Sequence, residues 1–118
     1  MKVAVLGKVD QKGLSFLKEN EFKVIEIENF EIQNLKEQLK YVDGILLRTT
    51  RLDKEILQHC DNLKIISRHG VGYDNVDLDF LNENKIALSI TSTSNAVSVA
   101  EHVLSFFIYL IKNLSLSD

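Results

Sequence analysis

Five short apolar runs, each followed by a segment of helical periodicity, limit what this chain can fold into. Residues 2–7 (KVAVLG) read as a buried strand, and 10–20 as a helix with Leu14, Leu17 and Phe16 facing inward. Residues 22–28 (FKVIEIE) alternate apolar and polar, as a half-exposed edge strand does. A helix over 31–39 places Ile32, Leu35 and Leu39 on one face. Strands follow at 42–47, 63–67 and 86–90. Between them lie short helices at 53–60, capped by Asp53 with Ile56 and Leu57 inward, and at 77–84, opened by Asp77. Ser94 or Asn95 then caps a last helix running to about Asn113. Strand and helix in strict alternation predict a parallel sheet with helices on both faces. For five strands the expected order is the flavodoxin-like 2-1-3-4-5, with the alternating second strand at the edge.

That last helix is apolar nearly all round, with Ala96, Val97, Val99, Ala100, Val103, Leu104, Phe106, Phe107, Ile108, Leu110 and Ile111. One small sheet covers one side of such a helix, so a second domain or a second copy is expected to cover the rest.

Composition removes other classes. The 118 residues suit one domain, and no apolar run reaches the ~20 residues of a membrane span. The opening MKVAVLGK is too short for a secretory signal, so a cytoplasmic protein is expected. A net charge of −3 argues against nucleic-acid binding, which needs a basic stripe. Cys60, the one cysteine, has neither a disulfide partner nor a CxxC metal or redox partner, and it reads as a thiol at a helix end.

Ligands of an open parallel sheet bind beyond the carboxyl ends of its strands. The chain has three arginines, and all of them, Arg48, Arg51 and Arg68, fall just after the third and fourth strands, whereas the lysines are scattered. A guanidinium offers a planar fork suited to carboxylate or phosphate. In 68–77 (RHGVGYDNVD), Gly70 and Gly72 flank Val71, so the backbone can approach a ligand and present successive N–H groups to an anion. This is not a dinucleotide fingerprint. GxGxxG would need glycine at Asn75 and a place after the first strand. His69 and His102 have no nucleophile in a triad context, and His102 reads as structural or interfacial. A phosphoacceptor receiver is disfavoured because Gly7-Lys8, Arg48 and Ile90 stand where its acids and lysine belong. The turn Lys8-Val9-Asp10 lacks a flavin phosphate cradle.

The segments ILLRTT (45–50), LKIISRHGVGYDNVDLDFLNENKIAL (63–88) and SNAVSVAEHVLSFFIYLIKN (94–113) resemble the D-isomer-specific 2-hydroxyacid dehydrogenases, over essentially the whole chain. The resemblance implies a flavodoxin-like substrate domain over 1–93 and an interdomain, dimerising helix over 94–118. It implies that Arg48, Thr49, Arg68, Gly70, Val71, Gly72 and Asn95 hold a small 2-hydroxy acid. Arg51 and Arg68 point toward a phosphorylated acid such as 3-phosphoglycerate, with glycerate and glyoxylate left open. By the same resemblance Val71, Ala96 and Val99 line the nicotinamide side of NAD, and the last helix joins a homodimer. The family's Asn-Thr-Pro turn is replaced here by Ile90-Thr91-Ser92. Its glycine-rich NAD fingerprint and its catalytic arginine, glutamate and histidine have no counterpart in 1–118. The expectation is therefore a substrate-holding portion without catalytic residues, metal or tight NAD binding of its own. The alternative is a truncated product that acts as an anion-binding or dimerising module.

Overall fold

A computed structural model of the protein describes residues 1–112. Ten elements alternate: β1 (Lys2–Leu6), α1 (Gln11–Glu19), β2 (Lys23–Ile27), α2 (Ile32–Leu39), β3 (Gly44–Leu47), α3 (Lys54–Leu57), β4 (Ile65–Arg68), α4 (Leu78–Glu83), β5 (Ala87–Ile90) and α5 (Ala96–Lys112). All strand pairs are parallel, in the order β2-β1-β3-β4-β5. This is the expected flavodoxin-like architecture, with β2 at an edge.

Strand alternation divides the buried residues between two faces. Ala4, Leu6, Ile45, Leu47 and Ile66 pack with Leu35 and Leu39 of α2, Ile56 and Leu57 of α3 and Leu81 of α4 in one continuous core. Val5 and Leu14 are buried apart from that cluster, where α1 covers the opposite face. Each fully buried leucine contributes roughly 1.5–3 kcal/mol. Leu52, with no exposed area, extends the core into the loop after β3.

Several local expectations shift. Phe16 is 65% exposed, at the rim of an open apolar groove that it lines with Leu17, Val3, Leu46 and Ile65; Leu17 is half-buried. Ile32 opens α2 at its exposed end rather than on the inner face. The predicted 53–60 helix has one α-turn, after which His59 and Cys60 donate to carbonyls only three residues back, Ile56 and Leu57. Asp53 sits at the N-cap but caps nothing with its side chain, and its Oδ1 is buried without a partner. Asp77 does cap α4, accepting from Phe80 N–H at 3.0 Å. The predicted end of α5 at Asn113 lies outside the described residues.

Candidate functional site

The last rung of the sheet reads Ile27, Leu6, Leu47, Arg68 and Ile90. Four of its members are apolar, and the fifth is Arg68. Arg48 follows one residue beyond Leu47, so two guanidinium side chains leave adjacent strands at the carboxyl edge. The register dictates this juxtaposition, since β3 and β4 end on paired residues.

Each arginine is laid over a glycine of positive φ. Gly7 (φ 106°) follows β1, and a Cβ there would lie 3.0 Å from Arg48 Cβ. Arg48 Nη1 then donates to the Lys8 carbonyl at 3.2 Å. Gly70 (φ 148°) follows β4, and a methyl group there would coincide with Nη1 of Arg68. That same nitrogen donates to the His69 carbonyl at 2.7 Å, while Arg68 Nε is buried without a partner. Both side chains are therefore held by backbone carbonyls, and each keeps further N–H groups for a ligand.

The glycine loop follows Arg68. Among the described residues, none of the backbone N–H groups of residues 71–75 is used in a hydrogen bond. Val71 and Tyr73 are 38% and 45% exposed, so the loop faces solvent. Unpaired backbone donors that follow Arg68 are groups suited to carboxylate or phosphate oxygens, although the Asp74 carboxylate lies over Gly72, its Oδ1 3.0 Å from where a Cβ there would stand.

The loop is fastened at both ends. Asn75 Nδ2 donates to the Thr50 carbonyl at 2.8 Å, and Leu52 N–H donates to the Asn75 carbonyl at 2.8 Å. Leu52 and Val76 form an isolated parallel bridge, completed by Asp77 N–H donating to Leu52. At the other end Gly70 N–H donates to Thr91 Oγ1 at 2.9 Å. Sequence reasoning noted Asn75 as part of the glycine segment and Thr91 as part of the turn after the last strand, but gave neither a role as a fastener of the loop.

Other candidates fall elsewhere. Thr49 is exposed on the loop after Arg48. Arg51 lines a separate cleft of about 110 Å³ with Asp53, Asp74, Asn75 and Asp77, which includes neither Arg48 nor Arg68. Asn95 precedes α5, where its carbonyl accepts from Val99 N–H at 2.9 Å. Ala96 and Val99 are exposed on the first turn of α5. His69 is exposed, and His102 stacks edge-on against Phe106 with ring centroids 4.4 Å apart. Burial pushes the Cys60 thiol up to about 11, which leaves it protonated and unreactive at neutral pH. A larger cleft, about 650 Å³, opens between the ends of β1 and β2 and includes neither Arg48, Arg68 nor the glycine loop. No group of three or more His, Cys, Asp or Glu among the described residues is placed to hold a metal.

Comparison with known proteins decides the family. The catalytic domain of the D-isomer specific 2-hydroxyacid dehydrogenases matches residues 3–108. This chain belongs to that family. Within the D-2-hydroxyacid dehydrogenases it is 27% identical over 119 residues to the D-3-phosphoglycerate dehydrogenase of Archaeoglobus fulgidus, covering 100% of this chain and 23% of that protein. Its fold superimposes on a Pyrococcus horikoshii protein with a TM-score of 0.85 and 31% identity, covering 97% of this chain and 34% of the other. The NAD+-bound 3-phosphoglycerate dehydrogenase of Entamoeba histolytica gives 0.80 and 29%, covering 92% and 38%. The chain thus spans about a quarter to two-fifths of the length of these relatives. No helix of the described residues is long and apolar enough to cross a membrane.

Proposed function

We propose that this chain holds the acid substrate of an NAD-dependent D-2-hydroxyacid dehydrogenase. The complete enzyme would transfer hydride between nicotinamide and C2 of a 2-hydroxy or 2-keto acid. Residues 1–93 would form the substrate-holding unit, and the segment 94–118, of which α5 spans Ala96–Lys112, would be the interdomain and dimerising part. One observation carries the reading: the backbone N–H groups of residues 71–75 are unused, and they follow Arg68, one strand away from Arg48, at the carboxyl edge of the sheet. In this assignment Gly70, Val71 and Gly72 receive the carboxylate on backbone. Arg48, Thr49, Arg68 and Asn95 hold the rest of the acid, with 3-phosphoglycerate favoured because guanidinium groups bind phosphate well.

The described residues do not fit a whole dinucleotide. The turn from β1 into α1 has a single glycine, and the α1 N-terminus is taken by Asp10, whose carboxylate accepts from Lys12 N–H at 2.8 Å. A pyrophosphate placed there would meet that negative charge. Contact with the cofactor is therefore assigned only to the apolar side chains of Val71, Ala96 and Val99, as a surface for nicotinamide. This chain by itself positions substrate and transfers nothing. Its compartment in this reading is the cytoplasm, where an unpaired thiol such as Cys60 is ordinary.

The homodimer is assigned to α5. Val97, Leu104, Phe106, Phe107, Leu110 and Ile111 are each more than half exposed, an apolar surface larger than a monomer normally leaves in water.

Titration of the chain with D-glycerate and with 3-phosphoglycerate, followed by amide NMR, tests the site. Shifts are expected at Arg48, Arg68 and residues 70–72, with the phosphorylated acid binding more tightly. Shifts confined to other parts of the sheet would overturn the assignment. Measurable NADH-linked turnover by the chain alone would overturn the division of labour.

A further inference from the structure

We infer that Thr91 is a positioning residue that couples the glycine loop to the base of α5. This rests on the reading of residues 71–75 as the substrate loop. Thr91 and Gly70 are joined twice. Thr91 Oγ1 accepts the Gly70 N–H at 2.9 Å, and Thr91 N–H donates to the Gly70 carbonyl at 3.1 Å. The Thr91 carbonyl in turn accepts from Ser94 N–H at 3.3 Å and from the Ser94 hydroxyl at 3.0 Å. Ala96, the first residue of α5, donates to the Thr93 carbonyl at 3.3 Å. A short relay of bonds and one tight turn therefore leads from Gly70 to the helix.

Two consequences follow from the chemistry of this clasp. A glycine has little backbone preference of its own, so the peptide planes on either side of Gly70 are set by what holds them. Thr91 holds both the N–H and the carbonyl, and the carbonyl belongs to the same peptide as the Val71 N–H. Thr91 thereby aims the first free donor of the loop without touching the ligand. The second consequence concerns α5. Every described residue from Thr91 onward is exposed, so packing does little to set the direction of the helix. The bonds at Thr91 and Ser94 set it instead. A ligand that orders residues 71–75 then biases the segment bearing Asn95, Ala96 and Val99, because both share one clasp.

The test uses the whole chain with Thr91→Val, which keeps the shape and removes the acceptor, and Thr91→Ser, which restores it. Amide hydrogen exchange at Gly70 is expected to be slow in the wild type and in Thr91→Ser. In Thr91→Val it is expected to accelerate by about fivefold to tenfold, the worth of one ordinary hydrogen bond. With D-glycerate as probe, residues 71–75 should shift in all three proteins, whereas residues 97–99, which are not assigned to the acid, should shift only where the hydroxyl is present. Unchanged Gly70 exchange in Thr91→Val, or ligand shifts at 97–99 that persist there, would overturn the coupling. A Gly70 amide that exchanges freely in the wild type would overturn it without any variant. If D-glycerate shifts nothing at 71–75 even in the wild type, the substrate-loop reading fails, and the exchange rates still judge the clasp.

Discussion

The guanidinium of Arg68 lies over the α-carbon of Gly70, in the space that a side chain at position 70 would fill. Arginine and glycine are thus one unit: the glycine leaves the room, and the arginine uses it to reach the His69 carbonyl.

Gly70→Ala should break this unit in two ways. The methyl group displaces Arg68, and alanine disfavours the Gly70 backbone conformation (φ 148°). A loss of about 1–3 kcal/mol in urea denaturation is expected. Affinity for 3-phosphoglycerate should fall further than stability does, because the displaced guanidinium is a proposed ligand group. A variant with full affinity would show that Arg68 does not bind.

Asn75→Ala removes the donor to Thr50 and leaves that carbonyl to find water. The expected cost is about 1 kcal/mol, measured by the urea midpoint. Asn75→Asp should cost more, since it sets a carboxylate against a carbonyl oxygen. Equal stability of the two variants would mean that the side-chain bond is not what fastens the loop.

Asp43 supplies an acid-sensitive contact far from the site. Its Oδ2 accepts from Lys2 N–H at 2.8 Å and its Oδ1 from Lys64 Nζ at 2.9 Å. The backbone donor first, and then the lysine, hold its carboxyl below the ordinary 3.8. A lowered folded pKa contributes stability that is present above 3.8 and is lost as pH falls through the lowered value. Asp43→Asn should therefore flatten the acid limb of a stability–pH curve while leaving its alkaline limb unchanged. An unaltered acid limb would rule the contact out as a contributor.

The exposed apolar length of α5 predicts self-association. Sedimentation of the chain should give a dimer, and Phe107→Lys should shift it toward monomer without altering the far-UV signature of the sheet domain. A wild-type chain that stays monomeric at high micromolar concentration would remove α5 from the interface.

The strand order was legible because an apolar run followed by a helical pattern leaves few packings, and the alternation in 22–28 marked the edge. Helix faces were less legible. Phe16 and Ile32 are as apolar as Leu14 and Leu35, and only the position of each helix over the sheet decides which ones are covered. The arginine–glycine edge was visible as composition, since all three arginines follow two neighbouring strands. That Arg51 turns toward aspartates while Arg48 and Arg68 fold over glycines depends on side-chain paths that spacing does not encode. Thr91 was visible as part of the turn after the last strand, but its role was not, because its partner is 21 residues away and is a backbone amide, which leaves no pattern in the sequence.

The place of β1 bears on how the chain is made. β1 is translated before the other four strands, yet it pairs on one side with β2 and on the other with β3, and Asp43 N–H bonds to the Lys2 carbonyl across 41 positions. Until β3 has been synthesised, the nascent β1-α1-β2 unit presents the open edge of β1, with its backbone groups unpaired on that side. Closure there is a non-local event with a large loop to gather, which slows folding relative to helical proteins of this size. An interior strand is thus translated before the other four and must wait for β3 before it is paired on both sides.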